Sequence, residues 1–282
     1  MSPRRAMSNG PGNSFGEQFT KIYDHFVAQS RHPNGPWKIM TEKVQDFHAT
    51  TEVHGLRILD LASGPGEPAA TFAKKFPSAW VVSTDFSEAM HKKAKELAVD
   101  IPNMEAKIAD MQNLDFHDGE FDVVSCSYGY MFPPDKEKAL QETFRVLRPG
   151  GILVSTTWNS VPHFDMIADL SEQTFGFRKP PTINPLSLSE PGLFEGMLTA
   201  AGFVDIHGEA SIYPMNMGSD PDFQFLAITL PMIEQLQEHD AMDKARDIFS
   251  GLKGKYNEVD SDGNMIFVRN EFKCIVARKP LV

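Results

Sequence analysis

Cysteine is scarce in this chain: Cys126 and Cys274 are the only two among 282 residues, each inside an apolar, strand-like run. Two isolated thiols build no disulfide framework, so the fold must rest on a buried core, and the pattern suits a reducing compartment. Long apolar runs are missing too, and no stretch approaches the length of a membrane span. The basic opening Met1-Ser2-Pro3-Arg4-Arg5 leads into no signal-peptide core, so the cytoplasm is the expected address and Gly10 to Gly12 reads as a tail. Basic residues are outnumbered, 27 Lys and Arg against 38 Asp and Glu, for a formal net charge of -11. That field repels nucleic-acid backbone and anionic membrane surfaces and disfavours polyanionic partners. The nine histidines show no His-x-x-x-His spacing and no Cys-x-x-Cys partner, so no metal is expected. Asp260-Ser-Asp-Gly-Asn264 has the look of a calcium loop, yet Arg269 falls where a bidentate glutamate is required, and a hairpin turn is expected instead.

What is present is apolar periodicity: hydrophobic residues make up 41% of the chain, enough for a full α/β core. Phe15, Phe19, Ile22, Tyr23, Phe26 and Val27 recur at helical spacing, and a second helix is expected from Trp37 to His48. Strand and helix signals then alternate. Strands are expected at Arg57 to Leu61, Trp80 to Thr84, Glu105 to Ala109, Phe121 to Ser125 and Ile152 to Thr156, with helices at Pro68 to Phe76, Ser87 to Val99 and Lys136 to Leu147. Short connections between such elements demand parallel strands and crossover helices. After Trp158 a helix from Phe164 to Phe175 is expected, then one capped by Ser189 and ending at Gly202. Val204 to Tyr213 and Met265 to Ala277 read as a late strand pair with an antiparallel member. The resulting partition is a tail and helical lid over 1–50 and one catalytic domain over 51–282, with covering insertions at 159–203 and 217–259.

Acidic residues stand at three successive strand ends. Arg57-Ile-Leu-Asp-Leu-Ala-Ser-Gly-Pro-Gly66 puts Asp60 at the end of the first strand and Gly64 and Gly66 in the turn after it, where a cofactor can approach backbone closely. Asp85 ends the second strand, about 20 residues beyond the glycines, at the spacing of an acid that accepts hydrogen bonds from ribose hydroxyls. Asp110 ends the third, where it can accept from an adenine amino group.

Together with Leu59-Asp-Leu-Ala-Ser-Gly-Pro-Gly66, the segments Ser83-Thr-Asp-Phe-Ser-Glu-Ala-Met90, Ala109-Asp-Met111, Phe121-Asp-Val-Val-Ser-Cys126 and Ala139-Leu-Gln-Glu-Thr-Phe-Arg-Val-Leu-Arg-Pro-Gly-Gly151 make a specific set. On these residues the chain resembles the class I S-adenosylmethionine-dependent methyltransferases, in particular the small-molecule group with ubiquinone/menaquinone C-methyltransferase-like members, strongly over Arg57 to Trp158. The resemblance implies a Rossmann-like α/β methyltransferase fold: a mostly parallel seven-stranded sheet with helices on both faces, an N-terminal helical extension and a covering segment after the fifth strand. It implies that the Asp60 to Gly66 turn holds the methionine end of S-adenosyl-L-methionine and that Asp85 holds its ribose. Phe86 and Met90 would flank the adenine, Asp110 and the Met111 backbone would read its edge, and Ser127 would lie near the methionine amine. Ala62 departs from the pattern, standing where many members carry the first glycine of the motif.

Two other functions fit parts of the chain. Gly64-Pro-Gly66-Glu-Pro-Ala69 also satisfies a dinucleotide fingerprint, so an NAD(P)-dependent oxidoreductase is the competing enzyme. A non-catalytic S-adenosylmethionine-binding module is the competing non-enzyme. Asp60 beside the turn favours the amine-bearing cofactor, because a carboxylate repels pyrophosphate. Methyl transfer then requires an acceptor in line with an already activated methyl group and exclusion of water. Tyr128, Tyr130 and Trp158 are the expected acceptor contacts, His163 the expected base and Tyr23 a residue closing over the cofactor. Arg31, Lys38 and Arg178 are expected on solvated faces more than on a substrate carboxylate.

Overall fold

The computed structural model describes residue 22 and residues 24–178 and 184–282. They divide into two compact units, each drawn from several stretches of chain. The larger holds 31–162, 180–214 and 268–282; the smaller holds the described residues among 1–30, 163–179 and 215–267. This partition differs from the expected one. The helix α1 (Pro36–Ala49) falls in the larger unit, where Trp37, Met40, Val44 and Phe47 are buried along one apolar face. The described residues 184–214 likewise fall in the larger unit, whereas 163–178 fall in the smaller.

The sheet opens with β1 (Arg57–Asp60), β2 (Trp80–Asp85), β3 (Met104–Ile108), β4 (Phe121–Ser127) and β5 (Leu147–Ser160), all parallel. The crossovers are α2 (Ala69–Lys75), α3 (Glu88–Ala98) and α4 (Lys136–Val146), and helices cover both faces. Ser87 caps α3 through Met90 N–H and Asp135 caps α4 through Lys138 N–H, so both crossovers start where a short polar side chain satisfies a free amide. Ile58, Leu59, Val123, Val124, Leu153 and Val154 are wholly buried, as parallel strands covered on both faces require. After β5 come α5 (Pro162–Phe175), α6 (Leu193–Ala200) and β6 (Val204–Asn216). The chain ends with β7 (Glu258–Val259) and β8 (Met265–Arg278). The strand order is β3-β2-β1-β4-β5-β8-β6, with β8 antiparallel to β5; the two-residue β7, paired to β8, raises the expected seven strands to eight.

Among the boundaries that differ from the sequence reading, two have a clear physical reason. The fifth strand was expected from Ile152 but starts at Leu147, which pairs with Phe121, and an irregularity in register absorbs Pro149 and Gly150 before Ile152 pairs with Val123; proline cannot donate to a ladder, so the strand bulges there. Ser189 does not cap α6. Its hydroxyl donates back to Leu186 O in the preceding turn, and Gly192, at φ 80°, is the residue at the helix start.

In the smaller unit residues 24–30 are helical, followed along the chain by α5 from His163 onward and by α7 (Pro221–Thr229), α8 (Ile233–Glu238) and α9 (Met242–Leu252). Asp169 of α5 gathers Arg178, Lys255 and the Tyr256 hydroxyl, and the Lys255 ammonium, with these partners, holds its carboxyl below the usual range. The Asp260–Asn264 segment is the expected hairpin turn: the Asp260 carboxylate accepts from Asp262 N–H, Asn264 N–H and the Asn264 side chain. Among the described residues no helix is long and apolar enough to cross a membrane.

Candidate active site

The strand order reverses between β1 and β4, and in open parallel sheets ligands bind beyond the carboxyl ends of the strands at such a point. Here β1 runs into the turn Ala62–Gly66, in which Ala62, Gly64 and Gly66 all have positive φ, at 51°, 58° and 101°. Gly66 is required for space as well as for conformation. A Cβ there would stand 3.1 Å from Ala94 Cα and 3.2 Å from a Leu97 methyl, both on α3. Ser63 N–H donates to Thr84 O, and Gly64 N–H donates to Asp85 Oδ2 at 2.9 Å, so the turn is clipped to the end of β2.

Asp85 also accepts from Ser87 N–H at 2.8 Å. A carboxylate offers about four acceptor positions. With one used on each oxygen, both oxygens keep capacity for the two hydroxyls of a ribose. Burial pushes the Asp85 pKa up, against the pull of these amides. Beside it Phe86 is 72% exposed, an unusual situation for a phenylalanine and one that suits a ring awaiting a planar partner. Met90 and Met111 are half-buried. Asp110 accepts from Gln112 N–H at 2.9 Å and from the Gln112 side-chain amide, and Gln112 in turn accepts from Asp135 N–H. The third acid is thereby held by a residue the sequence reading did not single out. Ser127 is the last residue of β4 and not beyond it; its hydroxyl lies 3.3 Å from that of Thr156 on β5.

Asp60, expected beside the cofactor, is engaged within the protein. It is completely buried, its carboxylate accepts from Ser125 Oγ and from Ala69 N–H, and desolvation pushes its pKa up to about 7. It therefore ties β1 to β4 and to the start of α2, acting on the turn from beneath. Nothing in the strand-end pattern distinguished an acid facing inward from one facing a ligand; the hydroxyl at Ser125, in the matching register of β4, was the available signal.

Near the ends of β4 and β5, Tyr128 and Trp158 stack face to face, with ring centroids 4.0 Å apart and planes at 5°. Tyr213 and Phe272, missed as site residues by the sequence reading, complete the cluster at 6.2 Å from Trp158 and 6.3 Å from Tyr128. Tyr128 has φ 55°, a conformation that bulky side chains adopt only when their surroundings enforce it. Burial, with the Tyr213 hydroxyl alongside, pushes the Tyr128 phenol well above its usual pKa, so it is a neutral donor. Tyr130, expected as an acceptor contact, is wholly buried, bonded to Thr143 Oγ1 at 2.6 Å and packed on Phe194.

His163 lies in the smaller unit among the rings of Phe26, Phe164 and Phe267. Desolvation lowers its pKa to about 4, which leaves a neutral imidazole at pH 7 but a poor proton acceptor. Tyr23 lies outside the described residues. The three cations are in ion pairs, Arg31 with Glu67 at 2.8 Å, Lys38 with Glu42 and Arg178 with Asp169 and Glu172. Among the described residues no group of three His, Cys, Asp or Glu side chains is placed to hold a metal ion.

A family model described as a methyltransferase domain matches residues 58–151. The ubiquinone/menaquinone biosynthesis C-methyltransferase UbiE of Serratia proteamaculans is 32% identical over 174 residues, covering 54% of this chain and 68% of that protein. The trans-aconitate 2-methyltransferase of Deinococcus radiodurans is 29% identical over 205 residues, covering 69% and 77%. The chain spans 49% and 45% of two further curated relatives, both demethylmenaquinone methyltransferases. Among solved structures, the Haemonchus contortus phosphoethanolamine N-methyltransferase 2 in complex with S-adenosyl-L-methionine superposes with a TM-score of 0.55 at 21% identity, over 93% of this chain and 57% of that one, a likeness of fold.

Proposed function

From the premise that the chain belongs to the class I S-adenosylmethionine-dependent methyltransferases acting on small molecules, we propose that its acceptor is an uncharged or weakly charged ring compound, seated against Tyr128 and Trp158. The observation that carries this is the stacked, apolar Tyr128–Trp158 wall, together with the pairing of the cations Arg31, Lys38 and Arg178 by carboxylates of the chain itself. A polycarboxylate acceptor such as that named for the Deinococcus relative would need an unpaired guanidinium or ammonium, whereas the acceptors implied by ubiquinone and menaquinone biosynthesis suit an aromatic wall.

When bound, S-adenosylmethionine supplies a methyl group already activated on a sulfonium sulfur. The residues present fit it. Asp85 accepts the ribose hydroxyls with the capacity left after Gly64 and Ser87; Phe86 and Met90 flank the adenine; Asp110 and the Met111 backbone receive its edge; the backbone around Ala62, Gly64 and Gly66 and the Ser127 hydroxyl take the methionine end. Tyr128 and Trp158 orient the acceptor and keep water from it, the main catalytic task once the methyl is activated. His163 as the base and Tyr23 as a residue closing over the cofactor are proposed on the sequence reading alone. The cytoplasm is the proposed location, without nucleic-acid or membrane partners.

The test is transfer of a labelled methyl group from S-adenosylmethionine to a panel containing demethylated quinols, simple phenols and trans-aconitate. Transfer to ring acceptors alone supports the proposal. Transfer confined to trans-aconitate overturns it.

A further inference from the structure

Gly129 follows β4 between Tyr128 and Tyr130, outside every motif the sequence reading singled out. A Cβ at this position would stand 2.4 Å from Cys126 Sγ, 2.8 Å from Ala62 Cβ and 3.4 Å from Met111 Cε. Those neighbours come from three places: the turn after β1, the loop after β3 and the end of β4 itself. The turn and the end of β4 were assigned above to the methionine end of the cofactor, and Met111 to the adenine edge. The gap left by the missing side chain is where they meet.

Ala62 gives the gap its meaning. It adopts φ 51°, a conformation natural to glycine, in the position where the motif commonly has one. Its extra methyl is accommodated because position 129 has none. We propose that Gly129 is a positioning residue for the cofactor site and that Ala62 and Gly129 form a compensated pair, a methyl added to the turn being balanced by a side chain withheld after β4. The proposal rests on the assignment of the Ala62–Gly66 turn to the methionine end of the cofactor.

The two shortest contacts differ in kind. Cys126 Sγ can rotate about χ1 into a core that is already filled, so a methyl at 129 strains packing there. Ala62 Cβ has no rotamer to adopt, so the same methyl displaces the turn backbone. Stability and cofactor affinity are thereby governed by separate contacts.

The experiment measures S-adenosylhomocysteine affinity by titration calorimetry and the unliganded melting temperature for five proteins: wild type, Gly129→Ala, and Gly129→Ala combined with Ala62→Gly, with Cys126→Ala or with both. Gly129→Ala should weaken binding by about tenfold or more and lower the melting temperature. Adding Ala62→Gly should recover most of the affinity and little of the melting temperature; adding Cys126→Ala should do the reverse. Unchanged affinity in Gly129→Ala, or recovery of affinity by Cys126→Ala and not by Ala62→Gly, overturns the pairing. If Gly129→Ala does not fold, the Cys126→Ala double variant takes its place, and failure of that protein to fold also overturns it, since Gly129 would then hold up the core instead of the turn. Absence of binding by the wild type would overturn the cofactor assignment itself, a distinct outcome.

Discussion

Replacing Asp85 with alanine removes an acceptor for the ribose and, at the same moment, the clip on the glycine turn. The carboxylate holds Gly64 N–H at 2.9 Å and Ser87 N–H at 2.8 Å, so both amides lose their partner in the variant. A hydrogen bond to a charged group contributes roughly 1.5–3 kcal/mol. Losing the ribose contact alone should raise the dissociation constant of S-adenosylhomocysteine by about one to two decades. The freed amides lie near a surface that water can reach, since Asp85 is only half-buried, so the cost to the fold should be smaller, about 1 kcal/mol and a few degrees in melting temperature. Asp85→Asn separates the two effects. It keeps one oxygen for Gly64 but turns an amide toward Ser87 N–H and loses the charge, so binding should fall while the turn stays clipped. Calorimetric titration checked by circular dichroism reads both quantities. An Asp85→Ala protein that is folded and binds S-adenosylhomocysteine as tightly as wild type would refute the assignment of this acid to the ribose.

The remaining expectations concern pH and the acceptor wall. Asp60 is raised to about 7 in the folded protein, so the native state holds its proton more tightly than the unfolded chain does, and stability from this group is lost as pH rises from about 4 through 7; Asp60→Asn should flatten that part of a melting-temperature profile, and an identical slope in both proteins would contradict it. His163 acts oppositely: with its pKa lowered to about 4, its contribution is lost as pH falls from about 6.5 toward 4, so His163→Phe should melt higher than wild type at pH 5 by more than at pH 8. A wild-type advantage at pH 5 would count against burial as the cause. Tyr128→Ala removes the stack on Trp158 and should lower kcat/KM for a ring acceptor by about tenfold while leaving cofactor affinity within about twofold. Loss of cofactor affinity with unchanged turnover would place Tyr128 elsewhere in the site.

Much of the sheet was legible because its signals are local. Alternation of apolar runs with helical spacing located β1, β2, β4 and their crossovers within a few residues, and the positions of Gly64, Gly66 and Asp85 followed from strand ends. What escaped depends on partners distant in the chain. The inward turn of Asp60 depends on Ser125, 65 residues away, and the burial of Tyr130 on Thr143 and Phe194. Gly129 was invisible for the same reason: its importance lies in Ala62 and Met111, contributed by the turn after β1 and the loop after β3. The cap at Gly192 was missed because Ser189 satisfies the compositional rule while its hydroxyl is engaged in the turn before.

The smaller unit is gathered from stretches far apart in the sequence, and this bears on how the chain is made. The ring of His25 meets the carbonyl of Asn216, 191 positions further along the chain. At the usual pace of synthesis the N-terminal helical residues emerge roughly 10 to 40 seconds before their counterpart exists. For that interval the apolar faces of Ile22 and Phe26 have no native neighbour from the later stretch, and loop closure over so many residues must precede any gain from burying them. A nascent chain arrested after residue 162 should therefore leave this segment open to protease and to holding chaperones, and release of that protection demand is tied to the appearance of residues 215–267 at the ribosome exit.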